Sequence, residues 1–403
     1  MVQVAARGTV VSLTPLALDA DSRTFRIARS LGEAGLRSIV IEGRASAHRF
    51  WGNEIVVLSL RPQSTGRSAP GAVAMLRNGR LGGGEFALYL GFRGYEWWRH
   101  CWRLRGRVPE AELYYLHSFE FYRAVAPLAA RNGASIIYDA HDFYRGIEPP
   151  EQQPAFDRNH LRPFFDALEE RLVAAADATV TVSDGVATLM ERTFGVHPIV
   201  IRNLHDERLD RAIDPDLRAS LAVSPTDRLC VVVGNRKRGM AVDTAIDAMA
   251  ALPENFHLAF LGRGYEADRE RVRCHRAASR VHFVGPVAPN EVVPFIRRAD
   301  LGLVIYEPYS ENYRCALPNG FFQTVAAGLP VIRGALPEIE RAIDERPVGA
   351  RLDRLDPPSL AAAILDCAGQ LPELRSTVAA VARELRWEEE EARLRCLIDE
   401  VLG

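Results

Sequence analysis

Three cations in a row, Arg236, Lys237 and Arg238, follow a Val-rich run and Gly234 in the stretch VVVGNRKRGM. At a strand-to-helix turn such a group suits a diphosphate. Arginine forks pair two phosphate oxygens, and an adjacent helix N-terminus adds its dipole. A solvated basic loop explains the same residues. Farther on, FLGRGYE sets Gly262 and Gly264 at another strand end, where a missing Cβ permits close backbone approach. A third corner lies in YRCALPNGFFQTVAAGLPVIRG. Leu317, Pro318, Asn319 and Gly320 hold a turn, a short helix follows, Gly328 can end it, and Pro330 cannot continue it. Amides after Pro318 can receive an anion, although an ordinary loop–helix corner has the same sequence.

The first half offers a different chemistry. His141 ends the apolar run of ASIIYDAHD, with Asp139 and Asp142 available to orient it. The alternative is a structural histidine lining a cleft. His117, ending LYYLH at a neighbouring strand end, is the runner-up candidate and reads more readily as structural. Arg23 and Arg26 can face an acceptor or a phosphate, or simply solvent. In LGFRGYEWWRHCWRLRGRV, Trp97, Trp98 and Trp102 interleave with arginines, and Trp98, Trp102 and Arg105 share a helical face. Such a face can lie on an anionic membrane or stack on sugars. Tryptophans packed inward under solvated arginines are the alternative.

These residues need strand ends to hold them, and the chain supplies strands. Val- and Ile-rich runs alternate with helical patterns throughout: GTVVSL, RSIVIEG, NEIVVLSL, AELYYLH, ASIIYDAHD, DATVTVS and HPIVIRN, then LCVVVGN, HLAFLGRG, RVHFVGP and ADLGLVIYEP. Alternation of this kind predicts βαβ units and parallel sheets covered on both faces. A polar segment from Asn203 to Arg228, with two prolines, separates two runs of similar size. The expected organisation is a first domain over residues 1–205, a second over 206–375, and terminal helices over 376–403. In the last of these, Leu394, Leu397, Ile398 and Val401 share one helical face.

With 403 residues and a formal net charge of −2, the chain has ample material for two cores and no global pull toward nucleic acid. Its six cysteines are scattered without CxxC or Cys/His ligand spacing, which fits a reducing cytosol and speaks against structural zinc or a disulfide scaffold. No cationic leader precedes a long apolar run, and no apolar stretch nears the ~20 residues that span a bilayer. A cytoplasmic protein is expected, with possible peripheral contact at the inner face of a membrane.

The ordered set of stretches resembles the family-4 glycosyltransferases, and retaining GT-B enzymes more broadly. SRTFRIARSLGEAG resembles the family's first helix and YDAHDFY its His-bearing strand end. ATVTVSDGVATLMERTFGVHPIVIRN is similar to the close of its first domain. VHFVGPVAPNEVVPFIRRADLGLVIYEP and LPNGFFQTVAAGLPVI are similar to its donor-site core. Trp387-Glu388 resembles the start of the helix that crosses back. The likeness covers most of the chain, least over about residues 61 to 110. It implies an α/β GT-B fold of two Rossmann-like domains, the first for the acceptor and the second for a nucleotide-diphospho-sugar. By family frequency that donor is a UDP-sugar. Transfer with retention, without a required metal or other cofactor, is implied too; no Asp-x-Asp stands at a strand end. Cell-surface glycan or natural-product synthesis is the implied setting, with a small-molecule, glycan or lipid-linked acceptor. By the same resemblance His141 stands beside the donor sugar, where it can bond a hydroxyl or support charge at the anomeric centre. Arg238 matches the usual diphosphate-binding Lys, with Arg236 or Lys237 as second contact. Gly234, Gly262, Leu317, Pro318, Asn319, Gly320 and Gln323 line the donor side. Arg23, Asp142, Trp98 and Trp102 are acceptor-side candidates.

The sequence departs from the family where two donor-site glutamates usually stand. Cys315 occupies the first position and Gln323 the second; Gly320 stands where a branch with a Pro-Asn-Lys-Leu-Phe-Glu motif has Lys. Gln can still bond a ribose diol without charge, at a loss of about 1 kcal/mol. Glu307 and Glu311 are near enough in sequence to compensate. Two further readings stay open on the sequence alone: a non-catalytic GT-B partner subunit, and a nucleotide-sugar epimerase of similar fold.

Overall fold

The computed structural model describes residues 8–61, 104, 106–148, 158–159 and 162–403. The Val- and Ile-rich runs form two parallel sheets. The first holds β1 (Thr9–Thr14), β2 (Arg37–Glu42), β3 (Ile55–Ser59), β4 (Leu113–Leu116), β5 (Ser135–Ala140), β6 (Ala178–Thr181) and β7 (Ile199–Val200) in the order β3-β2-β1-β4-β5-β6-β7. The second holds β8 (Arg228–Val233), β9 (Phe256–Leu261), β10 (Val281–Val284), β11 (Leu301–Val304), β12 (Val331–Gly334) and β13 (Arg351–Leu352) in the order β10-β9-β8-β11-β12-β13. Val10, Val11 and Leu13 in β1, and Leu229 to Val231 in β8, have no exposed surface. Burial on both faces is why these strands read as continuous apolar runs instead of alternating ones.

Both sheets reverse their winding once, between β1 and β4 and between β8 and β11. Chain leaving two adjacent strands in opposite directions opens a crevice at their carboxyl ends, where α/β folds bind ligands. His117 and His141 follow β4 and β5 in the first sheet; Gly234 and Gly262 follow β8 and β9 in the second.

Local signals position the helices around these ends. Helix Ser22–Glu33 starts at Asp21, whose side chain accepts from the Thr24 amide at 3.1 Å. The buried face of that helix carries Phe25, Ile27 and Leu31. Helix Asn319–Ala326 stops as the sequence indicates: Gly328 is left-handed (φ 74°), Gly328 N donates to Val325 O and Leu329 N to Thr324 O. That pair of bonds is a Schellman stop, which satisfies the last carbonyls.

The terminal segment differs from the expected boundary at residue 376. Helix Leu371–Glu384 keeps Val378 and Val381 in the second core, so the chain does not leave that domain until Leu385. Crossing occurs at Arg386, which pairs with His205, and helix Trp387–Leu402 then packs on the first domain. Leu394, Leu397 and Ile398 join Val10, Ile27 and Leu31 in one cluster, as their shared face predicts. Trp387 is fully buried, and its indole N–H donates to Ser30 Oγ at 2.9 Å. Trp387→Ala is expected to destabilise the first domain by about 3–5 kcal/mol, because it opens a cavity and orphans a hydroxyl. Urea unfolding followed by circular dichroism measures this.

A second buried pair lies beneath the carboxyl end of β5. Tyr138 donates its hydroxyl to Glu169 Oε1 at 2.8 Å, and Glu169 sits on helix Arg162–Ala175 almost free of solvent. Burial pushes the Glu169 carboxyl from 4.5 up to about 7. The folded state therefore holds a proton that the unfolded chain has already released. Stability contributed at low pH is lost as pH rises between about 4.5 and 7, by up to about 3 kcal/mol. Glu169→Gln is expected to flatten that slope in a stability–pH profile.

Candidate active site

The side that the resemblance implies for the donor is built from three corners of the second sheet. β8 runs into Gly234 (φ 133°), whose carbonyl accepts from the Tyr265 hydroxyl at 2.9 Å. Gly262 (φ 153°) lies directly over that carbonyl, so any side chain at 262 would collide with backbone. Of the three cations, Arg236 is drawn back into its own domain, with Nε 3.2 Å from Asp268 and Nη1 2.6 Å from Lys237 O. It braces the turn. Lys237 and Arg238 are exposed, and Arg238 Nη1 reaches Glu148 of the first domain at 3.2 Å.

Helix Asn319–Ala326 forms the third corner. Its N-cap is Pro318, which supplies no side-chain bond; the Phe321 amide donates to Pro318 O at 3.0 Å, and the amides of Asn319 and Gly320 precede the helical ladder, where an anion can meet them. Leu317 is buried and anchors the turn, while Asn319 accepts through Oδ1 from Asn203 of the first domain. Gly320 abuts the Val233 carbonyl at the end of β8, too closely for a Cβ. Close approach accounts for the glycine: any side chain there would lift the helix off the strand end. Gln323 lies in the following turn, partly exposed. Cys315 faces the other way, against Gly185 and Glu338, and its carbonyl accepts from Ser183 Oγ at 2.9 Å. Burial, then the Glu338 carboxylate, push its thiol pKa up. Glu307 and Glu311 are both exposed.

On the first-domain side the structure corrects the reading of Arg23. Its side chain is only 1% exposed, so it cannot face an acceptor. The guanidinium forks onto Asp139, Nε to Oδ2 at 2.9 Å and Nη2 to Oδ1 at 2.8 Å, while Nη1 donates to Ile201 O at 2.7 Å. Arg26 is buried too, contacting Asn203 and lying over the Trp387 ring with 5.5 Å to its centroid. Helical spacing could not separate these two arginines from surface ones; a match between Arg23 and an aspartate 116 positions away is visible only in three dimensions.

Asp139 organises the histidines. Burial opposes its ionisation, but Arg23, then His117 and His141, outweigh burial and hold the carboxyl far below the usual carboxylate range. Tyr115 donates its hydroxyl to Oδ2 at 3.3 Å. His117 Nδ1 lies 3.5 Å from Oδ2, and His117 bonds His141, Nδ1 to Nε2, at 2.9 Å. His141 is partly open to the cleft, and burial, opposed by Asp139 and Asp21, lowers its pKa and favours the neutral ring. His117, Asp139 and His141 present ligand-type atoms within 4.8 Å of one another. However, the carboxylate is committed to Arg23 and Tyr115, with a guanidinium against it. The arrangement therefore works as a hydrogen-bonded chain and not as a cation seat.

Asn312, which the sequence did not single out, ties the two sides together. Its Oδ1 accepts from the Phe143 amide at 2.7 Å and its Nδ2 donates to Asp142 Oδ1 at 2.8 Å. The loop just after His141 is thus held by the donor-side domain. Tyr309 adds a bond across the cleft, from its hydroxyl to Ile147 O at 3.3 Å. Trp98 and Trp102 lie outside the described residues. Gly320→Ala is expected to lower stability by about 1–3 kcal/mol and to weaken nucleoside-diphosphate binding, since the added methyl strikes Val233 O. Unfolding curves and titration with UDP check the two effects.

The sequence matches two family models, each on its own sheet: "Glycosyl transferase 4-like domain" over residues 21–205 and "Glycosyl transferases group 1" over residues 227–370. None of the curated proteins compared matches the chain. Among solved structures, sucrose-phosphate synthase from Thermosynechococcus elongatus superposes with a TM-score of 0.70 at 15% identity, covering 98% of this chain and 99% of that one. Anabaena HepE in complex with UDP-glucose gives 0.69 at 15% identity, covering 98% and 100%. WaaG, described as a glycosyltransferase involved in lipopolysaccharide biosynthesis, gives 0.63 at 14% identity, covering 98% and 99%. At such identities the likeness speaks for the fold, and the two family models carry the activity. The protein belongs to the glycosyltransferases, with the two facing Rossmann-like domains of the GT-B architecture.

Proposed function

We propose that this enzyme moves a sugar from a nucleotide-diphospho-sugar to a hydroxyl acceptor with retention of configuration and without a catalytic metal. The observation that carries the reading is the cleft itself. The exposed cations of the 236–238 turn, the uncapped first turn of helix Asn319–Ala326 and the His141 loop stand at strand ends of two domains that Asn312 joins. In the transfer the bond from the anomeric carbon to the diphosphate breaks. A bond to the acceptor oxygen forms, and the acceptor's proton passes to the departing diphosphate oxygen. Negative charge gathers on the diphosphate, where Lys237, Arg238 and the helix amides stabilise it. Positive charge gathers at the anomeric carbon, near which His141 bonds a sugar hydroxyl or supports the charge.

Asn319, Gly320 and Gln323 serve the donor, with Gln323 offering the ribose diol a neutral contact. Asp142, held by Asn312, lies beside His141 and serves a hydroxyl of either substrate. HepE is described with UDP-glucose, so UDP-sugars are the first donors to test. The tryptophans and arginines of residues 93–107 favour a lipid-linked acceptor at an anionic membrane. Among the described residues no helix is long and apolar enough to cross a membrane.

Calorimetry against UDP-, GDP-, TDP- and ADP-sugars is expected to find saturable binding of one of them. With that donor, His141→Ala should lower kcat by about 100-fold or more, and Arg238→Ala should raise the donor KM. Full activity in both variants would show that the site is assigned wrongly.

A further inference from the structure

His117 does not reach the cleft: its side chain is completely buried. It nevertheless shares a hydrogen bond of 2.9 Å, Nδ1 to Nε2, with the histidine that does. One hydrogen lies in that contact, and its owner decides the tautomer of both rings. Two observations identify the owner.

Asp139 Oδ2 is 3.5 Å from His117 Nδ1 and 3.8 Å from His141 Nε2. This carboxylate is ionised, held so by the Arg23 fork. An anion favours the proton on the nearer nitrogen, His117 Nδ1. The other ring nitrogen, His117 Nε2, is buried without a hydrogen-bond partner. Placing the proton on Nε2 would leave a buried N–H unpaired, whereas placing it on Nδ1 leaves only a lone pair there. Both arguments put the hydrogen on His117 Nδ1. His141 Nε2 must then accept. The neutral His141 ring has one proton, which is left for Nδ1. The surrounding groups agree: Asp21 is engaged by Thr14 and Thr24, and the Tyr115 ring lies 5.0 Å from His117 with its hydroxyl on Asp139.

We propose that His117 is a positioning residue that locks His141 in the Nδ1–H tautomer, so that His141 meets the sugar as a hydrogen-bond donor through Nδ1 and not as a base through Nε2. The contact with a sugar rests on the function proposed above; the tautomer lock does not.

Two substitutions separate the lock from mere packing. In His117→Asn the side-chain amide stands where Nδ1 stands and can donate both to Asp139 and to His141. In His117→Gln the amide stands where Nε2 stands and loses that geometry. His117→Asn is expected to hold kcat within about threefold, and His117→Gln to lower it roughly 10- to 100-fold with donor KM nearly unchanged. Nitrogen NMR of protein labelled at histidine, with the His141 signals assigned by His141→Ala, reads the tautomer directly. Protonated Nδ1 and bare Nε2 are expected in the wild type and in His117→Asn, and a shift toward protonated Nε2 in His117→Gln. A protonated Nε2 on His141 in the wild type overturns the lock, whether or not any variant folds. A His141 tautomer unmoved by His117→Gln overturns it as well. A tautomer that moves while kcat does not upholds the lock and counts against His141 in sugar transfer.

Discussion

The guanidinium of Arg23 and the carboxylate of Asp139 form an ion pair sealed from solvent on both sides. Two desolvated charges are tolerable only with close geometry and further hydrogen bonds, and losing one partner costs about 3–5 kcal/mol. Here the geometry is a fork, with Ile201 O and the Tyr115 hydroxyl taking up remaining capacity. The pair therefore fixes the first helix against the ends of β4 and β5 and against the chain leaving β7. Much of the first-domain side follows from that placement. Ser30 and Arg26, on the same helix, receive Trp387, and Arg26 contacts Asn203, which reaches Asn319 at the donor corner. The buried anion also gives the two histidines their order.

The contacts between the facing sheet ends are of another kind. Asn312 makes two directional bonds across the cleft, and Tyr309, Ser183 and Asn203 make one each. The Gly185 amide adds one to Glu338. Polar contacts of this sort specify one relative placement without merging the two cores, and relative motion is the default expectation for domains so joined. The apolar tie between domains is made elsewhere, by the terminal helix, whose Trp387, Leu394 and Ile398 belong to the first domain's core. The division leaves a permanent strap behind the cleft and replaceable hydrogen bonds in front of it.

The departures from the glycosyltransferase pattern have distinct physical readings. Gly320 is required by the Val233 carbonyl beneath it. Cys315 is spent on the domain contact, packed on Gly185 and the Glu338 carboxylate. Gln323, where the resemblance implies a glutamate, keeps hydrogen-bonding capacity without charge. Arg236 and Arg238 pair with Asp268 and Glu148.

Alternating Val-rich runs and helical patterns by themselves determined both parallel sheets, because strands buried on two faces must be apolar at successive positions. They also determined the glycine stop at Gly328 and the apolar face of the terminal helix. Residue type and place at a strand end mark Gly234, Gly262, His141 and the basic turn as candidates. What the sequence could not carry was pairing between distant residues. Arg23 looks the same whether it faces water or an aspartate on β5, and nothing local marks Asn312 as the residue that holds the His141 loop. His117 reads as structural, and its effect on its neighbour's proton depends on an anion within 4 Å of both rings. Burial and electrostatics are properties of the assembled neighbourhood, so the charge of Asp139 and the tautomer of His141 were decided only when the first domain folded, and the packing of Cys315 only when the two domains met.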